Sequence, residues 1–558
     1  MSSKTPNKRI KQFKFKKNSN IGVAEATQDK KFLEHCFIDN GELSILYDNN
    51  DSKCIVIGRT GSGKTALLEK LSQDQERFIK INPENLALTF LSDNTSLKFF
   101  TDLGVNLDLF YRLLWKHIFV VEIIKSNYNI INEQTRDNFL QKIGERIFKN
   151  KSKKDAISYL IKWGESFWQE TDYRVKEITV KLEEELKTAI GGELKVSLPF
   201  AGNITGNAGQ ESLKSLSEEQ KVSIVQLAQP IVHKVQIKTL SDIVKVLEED
   251  ILNDRKKKFY ITIDRLDEGW VIGTLRFQLI RALLETIREF NEALSNVKIV
   301  IALREDLIDR VFRYTRSSGQ QQEKYQSMYL NLSWKRKELE NLLDQRVSQL
   351  IREQYTKEEV TVRDLLPSKV NEGNQKIDPV DYLLDRTMLR PRDAIDFFNE
   401  CIKAAEGKAT ITQANIFDAE MQYSENRLRA LAEEWFADYE TLIDVVYVFK
   451  KYPNKFKLSD VNRNQFNDFM LDFLVKKSDK KDTLYNMVSE KLFNEKSEEL
   501  LQELCKIFHK IGFLGIKLES YSSINWSYNG HRINTFEITN EATLEIHKAF
   551  WRTLGIKP

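Results

Sequence analysis

Short apolar runs alternate along this chain with longer stretches in which apolar positions return every three or four residues. The runs are Cys54–Ile57, Phe78–Ile81, Phe259–Ile263, Val297–Leu303 and Met328–Trp334, rich in β-branched and aromatic side chains. Runs of this length and composition predict buried strands. Helical periodicity covers residues 26–47, Ala66–Leu71, residues 107–125 and most of 135–250, as in VKEITVKLEEELKTA (Val175–Ala189). Five strands separated by helices predict a parallel α/β sheet, with a large helical insertion at about residues 100–250 between the second and third strands. Within the insertion, glycine and alternating side chains in Gly191–Gln210 suggest a β-hairpin or loose loop.

Past Lys335 the pattern is helical, punctuated by Pro367, Pro379 and Pro391. Further amphipathic helices follow over residues 431–515. Ile516–Tyr521 and Thr535–Ile538, separated by polar residues, then predict a β-ribbon, and Glu541–Leu554 a last helix. Helices followed by a two-stranded wing suggest a winged-helix-like module. The expected division is a basic disordered arm (1–25), a sheet domain (26–334), a helical segment (335–430) and a C-terminal helical and winged-helix-like domain (431–558).

Composition narrows this picture. The 558 residues contain only 22 glycines and 9 prolines, about half the usual share, which excludes collagen-like chains and disfavours a turn-rich all-β fold. Cys36, Cys54, Cys401 and Cys505 show no CxxC spacing, so neither a disulfide framework nor a zinc site is suggested. Basic and acidic residues nearly balance, 85 to 82, and net charge alone implies no nucleic acid. Local charge is different: the first 20 residues carry Lys4, Lys8, Arg9, Lys11, Lys14, Lys16 and Lys17 and no acid, and are read as a solvated arm able to meet phosphates or an acidic partner. The N-terminus lacks the apolar core of a secretory signal, and Ile118–Ile124 is too short to span a bilayer. The expectation is a cytoplasmic protein with no membrane partner.

The chemistry lies where strands end. Gly58-Arg59-Thr60-Gly61-Ser62-Gly63-Lys64-Thr65 fits GxxxxGK[ST] between a strand and a helix. Its glycines let the backbone curl round an anion, Lys64 would neutralise β and γ phosphates, and Thr65 would offer a hydroxyl to Mg2+. Asp264, at the end of Phe259–Ile263, is the matching metal-side carboxylate. Asp267 and Glu268 follow and could polarise an attacking water, since the residue directly after Asp264, where a glutamate is usual, is Arg265. In a sheet of order 5-1-4-3-2, Arg304 would point from the end of Val297–Leu303 toward the γ-phosphate, or else form a surface pair with Glu305 or Asp306. Arg310, Arg313 and Arg316 stand where an oligomer would present an arginine finger, or form a solvated basic face. Leu389-Arg390-Pro391-Arg392-Asp393 opens a helix that could close over a nucleotide.

With these segments in place, the chain resembles ASCE-division P-loop ATPases, particularly the STAND and origin-recognition-type AAA+ branch. GRTGSGKTALLEKL, IDRLDEGW (Ile263–Trp270), ALREDL (Ala302–Leu307) and LRPRDAIDF (Leu389–Phe397) together are similar to bacterial P-loop ATPases labelled FunZ, found near mobile elements and defence genes. The resemblance implies ATP and Mg2+ as ligands, Glu268 as the acid of a DxxDE pattern, Arg392 as a sensor-2 arginine, residues 335–430 as a lid and a winged helix beyond. It implies a slow or activator-dependent ATPase that passes its nucleotide state to a partner effector or another copy, with roles in antiviral defence or mobile-element biology. A DNA-dependent ATPase using the winged helix, and a non-hydrolysing nucleotide-gated scaffold, remain the alternative expectations. Leu389-Arg390-Pro391 departs from the GxP usual in STAND proteins, and their repeat-rich sensor array is absent.

Overall fold

The structure is a computed structural model. It describes residues 13–86, 101–128, 180, 184, 188, 217–234, 244, 247–252, 258–271, 273–315, 322–479, 482–529 and 533–557. The chain divides into two compact units. A sheet unit comprises Asp39–Arg59 and Lys64–Leu332, and a helical unit comprises Met1–Ile38, Thr60–Gly63 and Ser333–Pro558.

In the sheet unit, β1 (Ile55–Gly58), β2 (Phe78–Ile81), β3 (Phe259–Ile263), β4 (Val297–Arg304) and β5 (Tyr329–Asn331) form one sheet of order β2-β3-β4-β1-β5. Every pairing is parallel. This is the order expected from the sequence. β1 and β3 are buried along their whole length, as strands covered on both faces must be. Helix Leu275–Ala293 packs on helix Asp108–Tyr128, where the Trp115 indole donates to the Leu279 carbonyl (2.9 Å) and the Phe119 and Phe290 rings meet edge-on at 5.4 Å. The described parts of the expected insertion are helical: Asp108–Tyr128, Glu218–Lys234 and the short π-helical turn Leu247–Ile251. Gly191–Gln210 and most of Val175–Ala189 lie outside the described residues. The run at Met328–Trp334 yields only the three-residue β5, because Gln322–Met328 is a 3-10 helix.

The helical unit has one continuous apolar core that draws on both segments expected as lid and C-terminal domain. It also draws on the expected arm. Phe13, Phe15 and Ile21 are buried in that core, so the described part of residues 1–25, from Phe13 on, is packed rather than solvated. Each such side chain contributes roughly 1.5–3 kcal/mol, and the Phe15 amide donates to Lys408 O (3.0 Å) while Gly407 N returns a bond to Phe15 O (2.9 Å). Basic residues between three apolar anchors had disguised an ordered segment.

Other elements differ from the sequence reading. Val370–Glu372 (β6) and Gln375–Ile377 (β7) form a hairpin turned at Gly373, whose φ of 59° suits glycine. β8 (Lys455–Lys457), β9 (Leu514–Lys517) and β10 (Thr543–Ile546) form an antiparallel sheet of order β8-β10-β9. Ile516–Tyr521 therefore holds only the end of a strand, and its partners are not Thr535–Ile538. Thr535–Glu537 is a 3-10 turn closed by the Glu537 side chain on the Asn534 amide (2.6 Å). The expected helix Glu541–Leu554 begins instead with β10, where Leu544 and Ile546 are buried and Thr543 and Glu545 are less so, a two-residue period. Only Trp551–Leu554 is α-helical. All four cysteines are buried and free. No described helix is long and apolar enough to cross a membrane.

Candidate functional site

β1 ends at Gly58, whose register partner on β4 is Arg304. Helix Lys64–Asp74 starts six residues later, so Gly58–Thr65 connects a buried strand to a helix N-terminus. Within the sheet unit, the Lys64 ammonium donates to the carbonyls of Gly58 and Arg59, both at 3.0 Å. The Thr65 hydroxyl donates to Asp264 Oδ2 at 2.7 Å, and Asp264 Oδ1 accepts from the Arg265 amide at 2.8 Å. A hydroxyl and a carboxylate from two neighbouring segments are thereby joined, both of them oxygen ligands of the kind that hard divalent cations take.

Arg265 has φ 60°, a left-handed conformation uncommon for a long side chain, and starts the turn that carries the acids. The Glu268 amide donates to Arg265 O (3.1 Å), and Arg276 Nη1 donates to the carbonyls of Asp267 (3.2 Å) and Glu268 (3.3 Å). Glu268 lies 3.6 Å from the Arg265 guanidinium. Burial pushes the Glu268 carboxyl above its ordinary value; Arg265 opposes this, and Asp267, Glu84 and Asp264 reinforce it. Arg304 is largely buried and doubly bound to Asp306 (2.9 and 3.2 Å), with Asp267 at 3.8 Å. Arg310 also binds Asp306 (2.9 Å). The arginine at the β4 end is thus held beside the loop by an acidic neighbour and also approaches Asp267. Arg313 is exposed, and Arg316 lies outside the described residues.

Within the helical unit, Gly61 (φ 78°) packs on Arg392 so closely that a Cβ there would sit 3.0 Å from the Arg392 Cβ. Only glycine meets both the backbone angle and the space. The Arg392 amide, an N-terminal helix donor without an intrahelical partner, donates to Gly61 O (3.4 Å). The Trp334 indole donates to Ser62 O (2.8 Å), and Gly63 has φ 97°. The hydroxyls of Thr60 and Ser62 are buried and find no partner among the described residues. Unsatisfied buried donors in a left-handed glycine loop fit a phosphate chain. Among the described residues no group of three or more His, Cys, Asp or Glu side chains could hold a metal ion.

The structure thus brings Gly58, Arg59, Lys64, Thr65, Asp264, Asp267, Glu268 and Arg304 to the strand ends of the sheet unit, and sets Arg392 against Gly61 within the helical unit. Trp334 and Glu25, whose carboxylate approaches Arg392 at 4.0 Å, escaped the sequence reading. Trp334 ends a strand-like run and Glu25 closes a basic segment; neither carries a motif signal.

One further carboxyl near Arg392 is perturbed. Burial pushes Asp396 up to about 6; Asp393 adds to this, Arg392 and Arg427 oppose it, and Glu400 adds again. A raised pKa gives a stabilising contribution that is complete below the ordinary value near 4 and is lost as pH rises through about 6. Asp396→Asn should therefore raise stability at pH 8 by on the order of 2 kcal/mol and add nothing at pH 3.5, measured by urea denaturation at both values.

Residues 337–432 match the family model described as the FunZ-associated C-terminal helical domain. The chain is also 23% identical, over 559 residues, to an 80.3 kDa protein ascribed to transposon gamma-delta in Escherichia coli (strain K12). Both findings support a FunZ-like relationship. The match to that protein takes in 97% of this chain and 67% of its own length. The matched domain holds the helix that carries Arg392 and begins just after Trp334.

Proposed function

We propose that this chain is a P-loop ATPase: a switch that binds ATP with Mg2+, hydrolyses it slowly or on activation, and passes its nucleotide state to a partner effector or a second copy. The observation that carries the reading is the Thr65–Asp264 hydrogen bond beside the Gly58–Thr65 loop. Lys64, Thr60, Ser62 and the loop amides would bind the phosphates, and Thr65 and Asp264 would hold Mg2+, which when bound neutralises triphosphate charge. Arg304 would meet the γ-phosphate from the end of β4, and the family resemblance implies a sensor role for Arg392. Glu268 would accept a proton from water, with Asp267 as the second acid. The pairing of Glu268 with Arg265, and of Arg304 with Asp306, would keep basal turnover slow, because each pair must loosen before its residue can act. Kinship with a transposon-associated protein favours a role tied to mobile elements, including defence against them.

Titration calorimetry with ATP and Mg2+, alongside a phosphate-release assay, tests this reading. Saturable binding with release of phosphate is expected; absence of binding would end it. Glu268→Gln should keep ATP binding and lower turnover by about 100-fold or more. Since the Glu268 carboxyl titrates above the ordinary range, wild-type turnover should fall on acidification at a higher pH than an unperturbed glutamate would dictate. A profile flat down to pH 4.5 would remove Glu268 from the role of base. A DNA-dependent ATPase is the second reading, favoured by the outward aromatics Tyr521 and Phe536, 84% and 81% exposed, on which bases could stack. Turnover stimulated by single-stranded DNA and suppressed by salt would establish it.

A further inference from the structure

Arg392 stands between two buried charges. Arg390, the N-cap of helix Pro391–Ala404, is 2% exposed, and Asp393, at its third position, is 1% exposed. Arg390 binds Glu434 (3.0 Å), Arg427 binds the same Glu434 oxygen (3.3 Å), and Arg427 also binds Asp393 (3.2 Å). The four form a charge-balanced chain of ion pairs, made a ring only by the backbone from Arg390 to Asp393, that links the start of Pro391–Ala404 to helix Gln413–Glu434. The Phe397 and Tyr423 rings, stacked at 4.5 Å, lock the same two helices one turn further on. Arginines at positions 390 and 392 oppose the helix dipole, so nothing in helix energetics favours them there. Met388 and Leu389, just before, are both left-handed (φ 48° and 52°), so this turn is held by its surroundings rather than by its own preference.

We propose that Arg427 and Glu434 are positioning residues for Arg392: the buried ring sets the helix start that lays Arg392 on Gly61, and so couples recognition of the γ-phosphate to helix Gln413–Glu434. This rests on the reading of Gly58–Thr65 as a triphosphate loop. The ring touches no ligand; it acts through Arg392. Loss of a member would let the first helical turn shift, and Arg392 would lose its preference for a terminal phosphate while the rest of the loop still binds nucleotide.

The experiment compares ATP and ADP affinity, with Mg2+, in the full chain and in Arg392→Ala, Arg427→Met, Arg427→Lys, Glu434→Gln and the Arg392→Ala/Arg427→Met double variant, with melting curves for each. Arg392→Ala should reduce the ATP-to-ADP preference by about tenfold. Arg427→Met should reduce it equally with ADP affinity unchanged, Arg427→Lys should restore part of it, and the double variant should lose no more than either single. Should Arg427→Met fail to fold, the near-isosteric Glu434→Gln reports the same ratio. A wild-type ratio in Arg427→Met and Glu434→Gln, or multiplicative losses in the double variant, would overturn the proposal while leaving the ATPase reading intact. Failure of the wild type to bind either nucleotide removes both.

Discussion

Lys64→Ala is expected to weaken ATP binding and lower turnover by about 100-fold or more while the chain stays folded. The Lys64 ammonium donates to the Gly58 and Arg59 carbonyls, oxygens that can be exchanged for phosphate oxygens. Its position is the first of helix Lys64–Asp74, where alanine is a good helix former, so the substitution should leave the melting temperature nearly unchanged. The loss therefore falls on charge neutralisation of the phosphates. Calorimetry and phosphate release on the purified variant measure it. Unaltered affinity would mean that the ammonium never meets a phosphate, and the loop would then be a structural turn.

The sheet was legible because its strands are short β-branched runs with no competing helical period. The Gly58–Thr65 loop was legible because glycine spacing and flanking elements are local features. What failed was decided at long range or by very few residues. β6, β7 and β8 have three residues each, too few to show a period. Thr543–Ile546 alternates, but over four residues within a stretch of good helix formers, and only pairing with β8 and β9 decides the matter. Phe13, Phe15 and Ile21 are overshadowed by six lysines and an arginine in the same segment. At the site, Asp264, Asp267 and Glu268 could be placed from the strand that precedes them, whereas the partners of Arg390 and Arg427 lie 44 and 34 residues away and leave no pattern. Even the alternative of an Arg304–Asp306 pair, visible in the sequence, needed geometry to show that Asp306 and Asp267 both approach the same guanidinium.

Glu420→Leu should destabilise the helical unit by about 3–5 kcal/mol, the largest stability effect expected anywhere in the chain. Glu420 is 2% exposed, accepts from Arg386 Nε at 2.6 Å and from Arg552 Nε at 2.9 Å, and takes the Tyr382 hydroxyl as a third donor. Arg386 is 1% exposed, and its remaining side-chain partners are Glu372 at 2.9 Å and the Tyr382 carbonyl at 3.0 Å. Without Glu420, a fully buried guanidinium loses its closest counter-charge and Arg552 loses its own, and leucine supplies volume but no acceptor. The cost is that of an unpaired buried charge rather than of a missing contact. Arg429 and Glu425, on the same helix, form an exposed pair, so Glu425→Ala should cost less than about 1 kcal/mol. Urea denaturation of the two variants beside the wild type gives the comparison. Equal costs at the two positions would mean that water reaches the Arg386–Glu420 pair, and that apolar packing alone, rather than the buried charges, joins β6–β7, Pro379–Leu384 and the C-terminal Trp551–Leu554 to helix Gln413–Glu434.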